Sequence, residues 1–325
     1  MTNDFKPGYL KLHTQGLLEE RALALRALAS PCRLCPRCCG VDRMRGERGF
    51  CGAGSRVQVA KALPHMGEEP AISGTRGAGT IFFAHCNLRC CFCQNYQISQ
   101  EHLGREVSAA ELADMMLDLQ NRDCHNISLV SAAHFLPGII DALILAAAGG
   151  LSVPLVYNSN GYESPEVLRL LDGIIDIYLP DAKYVSDAAA MRFSEAPGYH
   201  RINMAALQEM ARQAGSLQTD ESDIAVRGLI IRHLVLPEGL TDTYRVLRAI
   251  KKNLGPFVTV SLMGQFTPCF EAAGHTVLGR PLSPEENEKA CAMLDELGFE
   301  NGWIQECGPD DRAFVPDFSR QDAWN

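Results

Sequence analysis

Three cysteines, Cys86, Cys90 and Cys93, stand in the spacing Cys-x3-Cys-x2-Cys. Thiolates are soft ligands, and three so close in one loop can hold three irons of a [4Fe–4S] cluster, where an electron-transfer centre ordinarily uses four. No fourth ligand continues the run, because Cys91 sits too close to its neighbours. A three-ligand cluster keeps one iron open for a substrate or cofactor, much as a catalytic zinc keeps one position free. A second group is Cys32-x2-Cys35-x3-Cys39-x11-Cys51, with Cys38 beside it. Four thiols spaced by Arg, Pro and Gly point to a metal, either a closed zinc site acting as a structural staple or an auxiliary Fe–S cluster. A redox dithiol fits less well, because four thiols are present.

The chain has thirteen cysteines in 325 residues, and nine of them lie between Cys32 and Cys93. Met1 to Gly8 lacks the apolar stretch of an export signal. No apolar run approaches the ~20 residues of a membrane span. These features predict a cytoplasmic chain, where clustered thiols serve metals rather than disulfides. With 46% hydrophobic and 21% charged residues, the composition is that of a globular protein with a sizeable core. Net charge is -9, yet residues 1–60 hold ten Lys/Arg against five Asp/Glu. An acidic chain is a poor general nucleic-acid binder. Arg33, Arg37, Arg43, Arg45 and Arg48 read as a solvated face around the cysteines, or as a contact for phosphate or an acidic partner.

Something must position these groups, and the apolar pattern supplies a scaffold. Residues 1–30 end in a helix carrying Leu17, Leu18, Leu23, Leu25 and Leu28. Residues 31–56 read as a small metal-stapled module, and 57–77 as a connector marked by Gly and Pro. From 78 to 310, short apolar runs alternate with helical stretches, and 311–325 form a tail. Strands are predicted at Thr80–Ala84, Ile127–Ser131, Pro154–Asn158, Ile174–Leu179, Gly228–Leu236 and Val258–Leu262. Helices are predicted near 108–120, 137–148, 164–171, 199–213 and 241–253, and after Ser283-Pro284. This alternation implies right-handed β-α-β crossovers and the α/β class, as a full or partial (β/α) TIM-type barrel.

In such a barrel the active site lies where the strands end. The predicted ends include His85-Cys86, Ser131-Ala132-Ala133-His134, Asn158-Ser159-Asn160, Asp181-Ala182-Lys183, Arg232-His233 and Met263-Gly264-Gln265, polar or charged at nearly every one. His134 reads either as a proton-handling group or as a rim histidine, and His85 as support for the cysteine loop. Cys91 and Cys124 read as incidental thiols, and Cys291 and Cys307 are too scattered to be ligands. Cys269 follows a strand end and is a candidate to face the cavity.

The three-cysteine loop after the first barrel strand, with Phe92 before its last cysteine, resembles the radical S-adenosylmethionine (SAM) superfamily. Further strings resemble its PflX branch, relatives of the pyruvate formate-lyase activating enzyme. They are Gly-Thr-Ile-Phe-Phe (79–83), Cys-Phe-Cys-Gln-Asn (91–95), Val-Tyr-Asn-Ser-Asn-Gly-Tyr-Glu (156–163), Asp-Ile-Tyr-Leu-Pro-Asp-Ala-Lys (176–183) and Arg-His-Leu-Val-Leu-Pro (232–237). The resemblance implies a barrel of the radical SAM type whose [4Fe–4S] cluster, on Cys86, Cys90 and Cys93, binds SAM at its open iron. Reductive cleavage of SAM then gives methionine and a 5′-deoxyadenosyl radical that abstracts hydrogen.

The resemblance also implies site roles. Phe92 would lie near the adenine. Ser131 and Ala132 occupy the place of the strand-two motif that meets the SAM amino group, but its glycines and acidic residue are missing here. Asn158, Ser159 and Asn160 match an activase segment reading Asp-Thr-Asn, beside the methionine moiety and a monovalent-cation site; Asn158 removes its charge. Asp181 and Lys183 match an Asp-x-Lys, and Arg232 an arginine near the SAM methionine, where a guanidinium suits a carboxylate. Among the N-terminal thiols the resemblance selects Cys39, before Gly40-Val41, over Cys38. A one-electron donor such as flavodoxin or ferredoxin is implied. The substrate is either a protein glycine, as for glycyl-radical activases, or a small molecule or other macromolecule. A non-catalytic electron-transfer protein is the remote alternative, since it would want four ligands and leave the strand-end residues without purpose.

Overall fold

The computed structural model describes residues 5–305, 315–320 and 323. The strands are β1 (Val57–His65), β2 (Ala78–Phe83), β3 (Arg105–Val107), β4 (Ile127–Val130), β5 (Leu155–Ser159), β6 (Ile177–Pro180), β7 (Gln218–Thr219), β8 (Ala225–Leu234), β9 (Thr259–Met263) and β10 (Gly302–Gln305). They form one sheet in the order β10-β9-β8-β6-β5-β4-β2-β1-β3, with β7 paired to β8. From β10 across to β2 every neighbouring pair is parallel. β1 and β3 extend the β2 edge antiparallel.

The sheet is not closed, so the barrel is partial. β1 occupies the outer hydrogen-bonding edge of β2, the edge a closing strand would need. All six predicted strands are present, as β2, β4, β5, β6, β8 and β9. β1 runs through the stretch expected to be a connector. Its alternation, with Val57 and Val59 buried, fades into half-buried residues and Pro64, so the period of two is short. β10, a seventh parallel strand, is four half-exposed residues and leaves little pattern to read.

β2, β4 and β6 are buried along their whole length, because helices or loops cover both faces of a parallel sheet. Helices Ala109–Asn121, Leu136–Ala148, Pro165–Leu170, Tyr199–Ala214, Thr243–Leu254 and Pro284–Leu297 supply the crossovers. The last begins as its sequence predicts: Ser283 Oγ accepts from the Glu286 amide (3.2 Å), and Glu286 accepts from the Ser283 amide (2.9 Å). The main apolar core lies between these helices and the sheet. A second cluster, including Leu88, Phe92, Tyr162, Tyr184, Phe193 and Phe266, surrounds the three-cysteine loop. Among the described residues no helix is long and apolar enough to cross a membrane.

Candidate active site

Two strands end in residues held at positive φ, His85 after β2 (71°) and Ser131 after β4 (58°). Non-glycine residues tolerate this only where their surroundings hold them, and such positions gather at functional sites. His85 is held by Gln58 Oε1 (2.7 Å), by the Cys51 carbonyl (3.1 Å) and by a stack on His102 (4.2 Å). The bend turns the chain into the loop of Cys86, Cys90 and Cys93.

A cavity of about 400 Å³ lies at these strand ends. The three cysteines and Phe92 line it. So do Ser131 after β4, Asn158 and Ser159 of β5 with Asn160 beyond it, Asp181 and Lys183 after β6, and Arg232 of β8. Apart from Ala132, which is buried in the core, the residues that the resemblance brought to cofactor binding therefore share one space. Ile304 of β10 also lines it and is 48% exposed, so the cavity reaches the surface at the open side of the barrel.

Each sulfur has a polar neighbour. Cys86 Sγ accepts from Asn160 Nδ2 (3.3 Å) and the Leu88 amide (3.4 Å), and Cys90 Sγ accepts from Ser194 Oγ (3.0 Å). Cys93 Sγ lies 3.3 Å from Ser99 Oγ. Burial, reinforced by the neighbouring Cys90, pushes the Cys86 thiol up to about 12. Burial also raises Cys90, against the pull of Lys183. Metal ligation must therefore displace protons from these thiols. The donor set fits a [4Fe–4S] cluster: three thiols within electrostatic reach of one another, hydrogen-bond donors aimed at sulfur, and an ammonium nearby.

That ammonium is Lys183, whose Nζ lies 2.6 Å from Asp181 Oδ2. Burial alone would lower its pKa, but Asp181 outweighs burial and keeps it charged. Tyr199 Oη fastens this strand end, accepting from the Lys183 amide (3.1 Å) and donating to the Asn160 carbonyl (2.8 Å). Gly161 makes the approach workable: its φ is +71°, and a Cβ there would meet the Asp181 carbonyl at 2.1 Å.

Arg232, matched by the resemblance to an arginine near the SAM methionine, is already engaged by carboxylates. Glu69 engages it as a fork, through Nε (2.7 Å) and Nη2 (2.5 Å), and Glu68 also accepts from Nη2. Burial would raise the Glu69 carboxyl, but Arg232 holds it below the usual carboxylate range. Glu68 also accepts from Asn158 Nδ2 (3.4 Å). Sequence reading missed both carboxylates. Their only local signal was Glu-Glu-Pro at a helix start, and nothing in it told of an arginine more than 160 residues away.

The N-terminal module docks against the back of the three-cysteine loop. Cys32 pairs with the returning chain through its amide to the Val41 carbonyl (2.9 Å) and its carbonyl to the Gly40 amide (3.0 Å). Cys51 lies within electrostatic reach of Cys32 and Cys39, and Cys35 of Cys51 and Cys32. Cys38 is exposed. Glu163 lies beside Cys35; burial pushes its carboxyl up to about 8, and Oε2 has no hydrogen-bond partner. Among the described residues no three His, Cys, Asp or Glu side chains already converge as ligands of a metal ion.

Met263 and Gln265, from the last predicted strand end, also line the cavity; His134, Cys269, Cys91, Cys124 and Cys291 do not. His134 Nε2 donates to the Ala84 carbonyl (2.8 Å), and burial pushes its pKa down to about 3, so it is a neutral tie between strand ends and not a proton carrier. Cys269 faces the backbone of the cysteine loop, with Sγ 3.5 Å from the Phe92 carbonyl, and not the cavity. Cys91 points to a separate groove with Arg192, Glu271 and His275. Cys124 is core and Cys291 packs on it, while Cys307 lies outside the described residues.

The site is thus a strand-end cavity of an α/β protein, lined by three thiols beside Lys–Asp and Arg–Glu pairs and roomy enough for an organic cofactor. The Radical SAM superfamily model matches residues 80–216, from β2 through the helix Tyr199–Ala214, and supports membership of that superfamily. Its members bind a [4Fe–4S] cluster and SAM. An uncharacterized protein of Methanocaldococcus jannaschii is 29% identical over 87% of this chain and 80% of its own. Among solved structures, anSMEcpe with bound AdoMet and the Cp18Cys peptide aligns at 14% identity and TM-score 0.46, over 70% of this chain and 57% of that one. HydG, a maturase of the [FeFe]-hydrogenase, aligns at 11% identity and TM-score 0.48, over 93% and 59%. Streptococcus suis SuiB bound to the precursor peptide SuiA aligns at 10% identity and TM-score 0.47, over 70% and 48%. The chain thus spans about half to three-fifths of those solved chains.

Proposed function

We propose that this protein is an activase-like radical SAM enzyme of the cytoplasm that abstracts hydrogen from a glycine in a peptide segment. The observation that carries the reading is the single cavity shared by Cys86, Cys90, Cys93 and the polar strand ends. Its opening beside β10 favours an extended peptide over an enclosed small molecule. Cys86, Cys90 and Cys93 would hold a [4Fe–4S] cluster, which would supply the one electron for reductive cleavage of SAM to methionine and a hydrogen-abstracting 5′-deoxyadenosyl radical.

The chain's own residues bind and orient. Phe92 offers an apolar face to the adenine. Asn158, Ser159 and Asn160 offer amide and hydroxyl groups to the methionine end, with Ser131 beside them. Lys183 is balanced by Asp181, and Arg232 by the Glu69 fork, which leaves Glu68 as the carboxylate in excess. Charge complementarity assigns Glu68 to the SAM ammonium, in place of the missing acidic residue of the strand-two motif. Glu68→Gln should weaken SAM binding about 10-fold, the size of one charge-assisted contact, measured by calorimetry on reconstituted protein. Unchanged affinity would remove Glu68 from that role.

A second metal centre is held by Cys32, Cys35, Cys39 and Cys51. The deciding experiment combines metal content with SAM cleavage in anaerobically reconstituted protein under dithionite. The reading expects 5′-deoxyadenosine and methionine in equal amounts. About four irons with one zinc would make the second centre a staple, and about eight irons an auxiliary cluster. Absence of bound iron would sink the reading.

A further inference from the structure

The N-terminal module and the three-cysteine loop together build a basic surface that the cavity chemistry does not use. Arg37 stacks over Phe50 (3.6 Å) and donates to the Asn87 carbonyl (3.0 Å), inside the cysteine loop. Arg89, between Cys86 and Cys90, stacks over the same ring (4.7 Å). Arg48 donates to the Gly52 carbonyl (2.9 Å), and both Arg48 and Arg89 lie close enough to exposed His102 to disfavour its charged form, after burial. Arg48 and Arg89 are exposed, and among the described residues neither Arg37, Arg48 nor Arg89 has a salt-bridge carboxylate. Glu47, next to Arg48 in sequence, is turned onto the Asp42 amide (2.7 Å).

Three cations without carboxylate partners therefore sit over the loop that carries the cluster ligands, in a chain whose net charge is -9. We infer that this patch docks an acidic electron-donor protein with a flavin or iron–sulfur centre. One electron passes from that donor's reduced centre to the cluster, and no atom is transferred. Two features favour this occupant over a nucleic acid: the acidic remainder of the chain, which opposes a polyanion, and the position of the patch directly outside the redox centre. His102 stacked on His85, next to Cys86, gives the patch a packed connection to the ligand loop.

The inference rests on the radical SAM reading, and the test separates the two. Full-length reconstituted protein and its Arg48→Glu/Arg89→Glu variant are compared in 5′-deoxyadenosine formation, driven either by dithionite or by reduced flavodoxin at low and high salt. The expected result is equal dithionite-driven rates, with a flavodoxin-driven rate at least about 10-fold lower in the variant and no longer salt-dependent. An undiminished flavodoxin-driven rate overturns the docking site, as does a wild type that flavodoxin cannot drive. Loss in the variant of binding to a single-stranded RNA probe, with donor-driven turnover intact, overturns it in favour of nucleic acid. A wild type that cleaves no SAM with dithionite fails at the radical SAM reading itself, and the docking inference falls with it.

Discussion

Under the radical SAM reading, replacing Cys90 with alanine should abolish SAM cleavage and remove the cluster iron, while Cys91→Ala should retain both. The two residues are adjacent, so position in sequence cannot separate them. The fold does: Cys90 lines the cavity with Cys86 and Cys93, whereas Cys91 faces the groove of Arg192, Glu271 and His275. Removing one of three ligands leaves a cluster held by two thiolates, and the iron content should fall by about four atoms. Cys90 is buried, and the truncation removes the sulfur to which Ser194 Oγ donates, but Ser194 Oγ keeps Tyr184 Oη at 2.8 Å, so no buried polar group is left unpaired. The far-UV circular dichroism spectrum should therefore stay that of a folded protein. Iron analysis and 5′-deoxyadenosine quantification on both variants check this. Equal iron loss in the two would mean that the ligand assignment is wrong.

Arg232→Ala carries the largest expected effect on stability. Arg232 is 13% exposed and ties Glu68 and Glu69, themselves buried, to the end of β8. Removing the cation leaves two carboxylates facing each other in a confined space. Breaking a buried pair in this way costs about 3–5 kcal/mol, because the charge left behind is uncompensated. For a chain of this size the melting temperature should fall by on the order of 10 °C at neutral pH.

The pH dependence has a definite sign. In the wild type, Arg232 holds the Glu69 carboxyl below its usual range. The stabilisation from that pair is therefore present above the unfolded carboxylate pKa of about 4.3 and is lost as pH falls through the lower folded value. In the variant, burial, the largest influence on Glu69, is no longer offset by Arg232 and raises its carboxyl, with Glu68 facing it and the Ser261 hydrogen bond opposing. The folded state then takes up a proton that the unfolded state releases, so the penalty is greatest at neutral pH and fades as pH falls towards about 4.3. Thermal melts from pH 7.5 to 5 should show the gap between wild type and variant narrowing. A gap that is constant or widens on acidification would show that the pair is not what Arg232 contributes.

Residues close in sequence determined much of this protein. Cys86, Cys90 and Cys93 lie within one loop, so their spacing alone pointed to a three-ligand iron site, and the fold brings all three to one cavity. The apolar runs of β2, β4, β5, β6, β8 and β9 announced a parallel sheet, because strands covered on both faces read as continuous hydrophobic stretches. With the sheet in hand, the rule that sites form at strand ends pointed to Ser131, Asn158, Asp181, Lys183 and Arg232, and the fold brings all of them to the cavity that the cysteines line.

What only the tertiary structure decided involves partners distant in sequence. Glu68 and Glu69 follow β1, which runs antiparallel to β2 and ends at His65 beside Ala78, so their turn lies by the starts of the parallel strands and the two carboxylates meet the Arg232 guanidinium in the cavity they share. Nothing in the turn's composition states that meeting. His134 is a tie and not a proton carrier because the Ala84 carbonyl and burial act on it together. Cys269 turns to the Phe92 carbonyl and not the cavity because the 3-10 turn Phe270–Gly274 carries the Ala272 amide onto the Cys91 carbonyl (2.9 Å). Local sequence determines which residue types a strand end presents. Burial and long-range pairing determine which of them are free to bind a ligand, since a group already engaged by a charge or a carbonyl has little left to offer a cofactor.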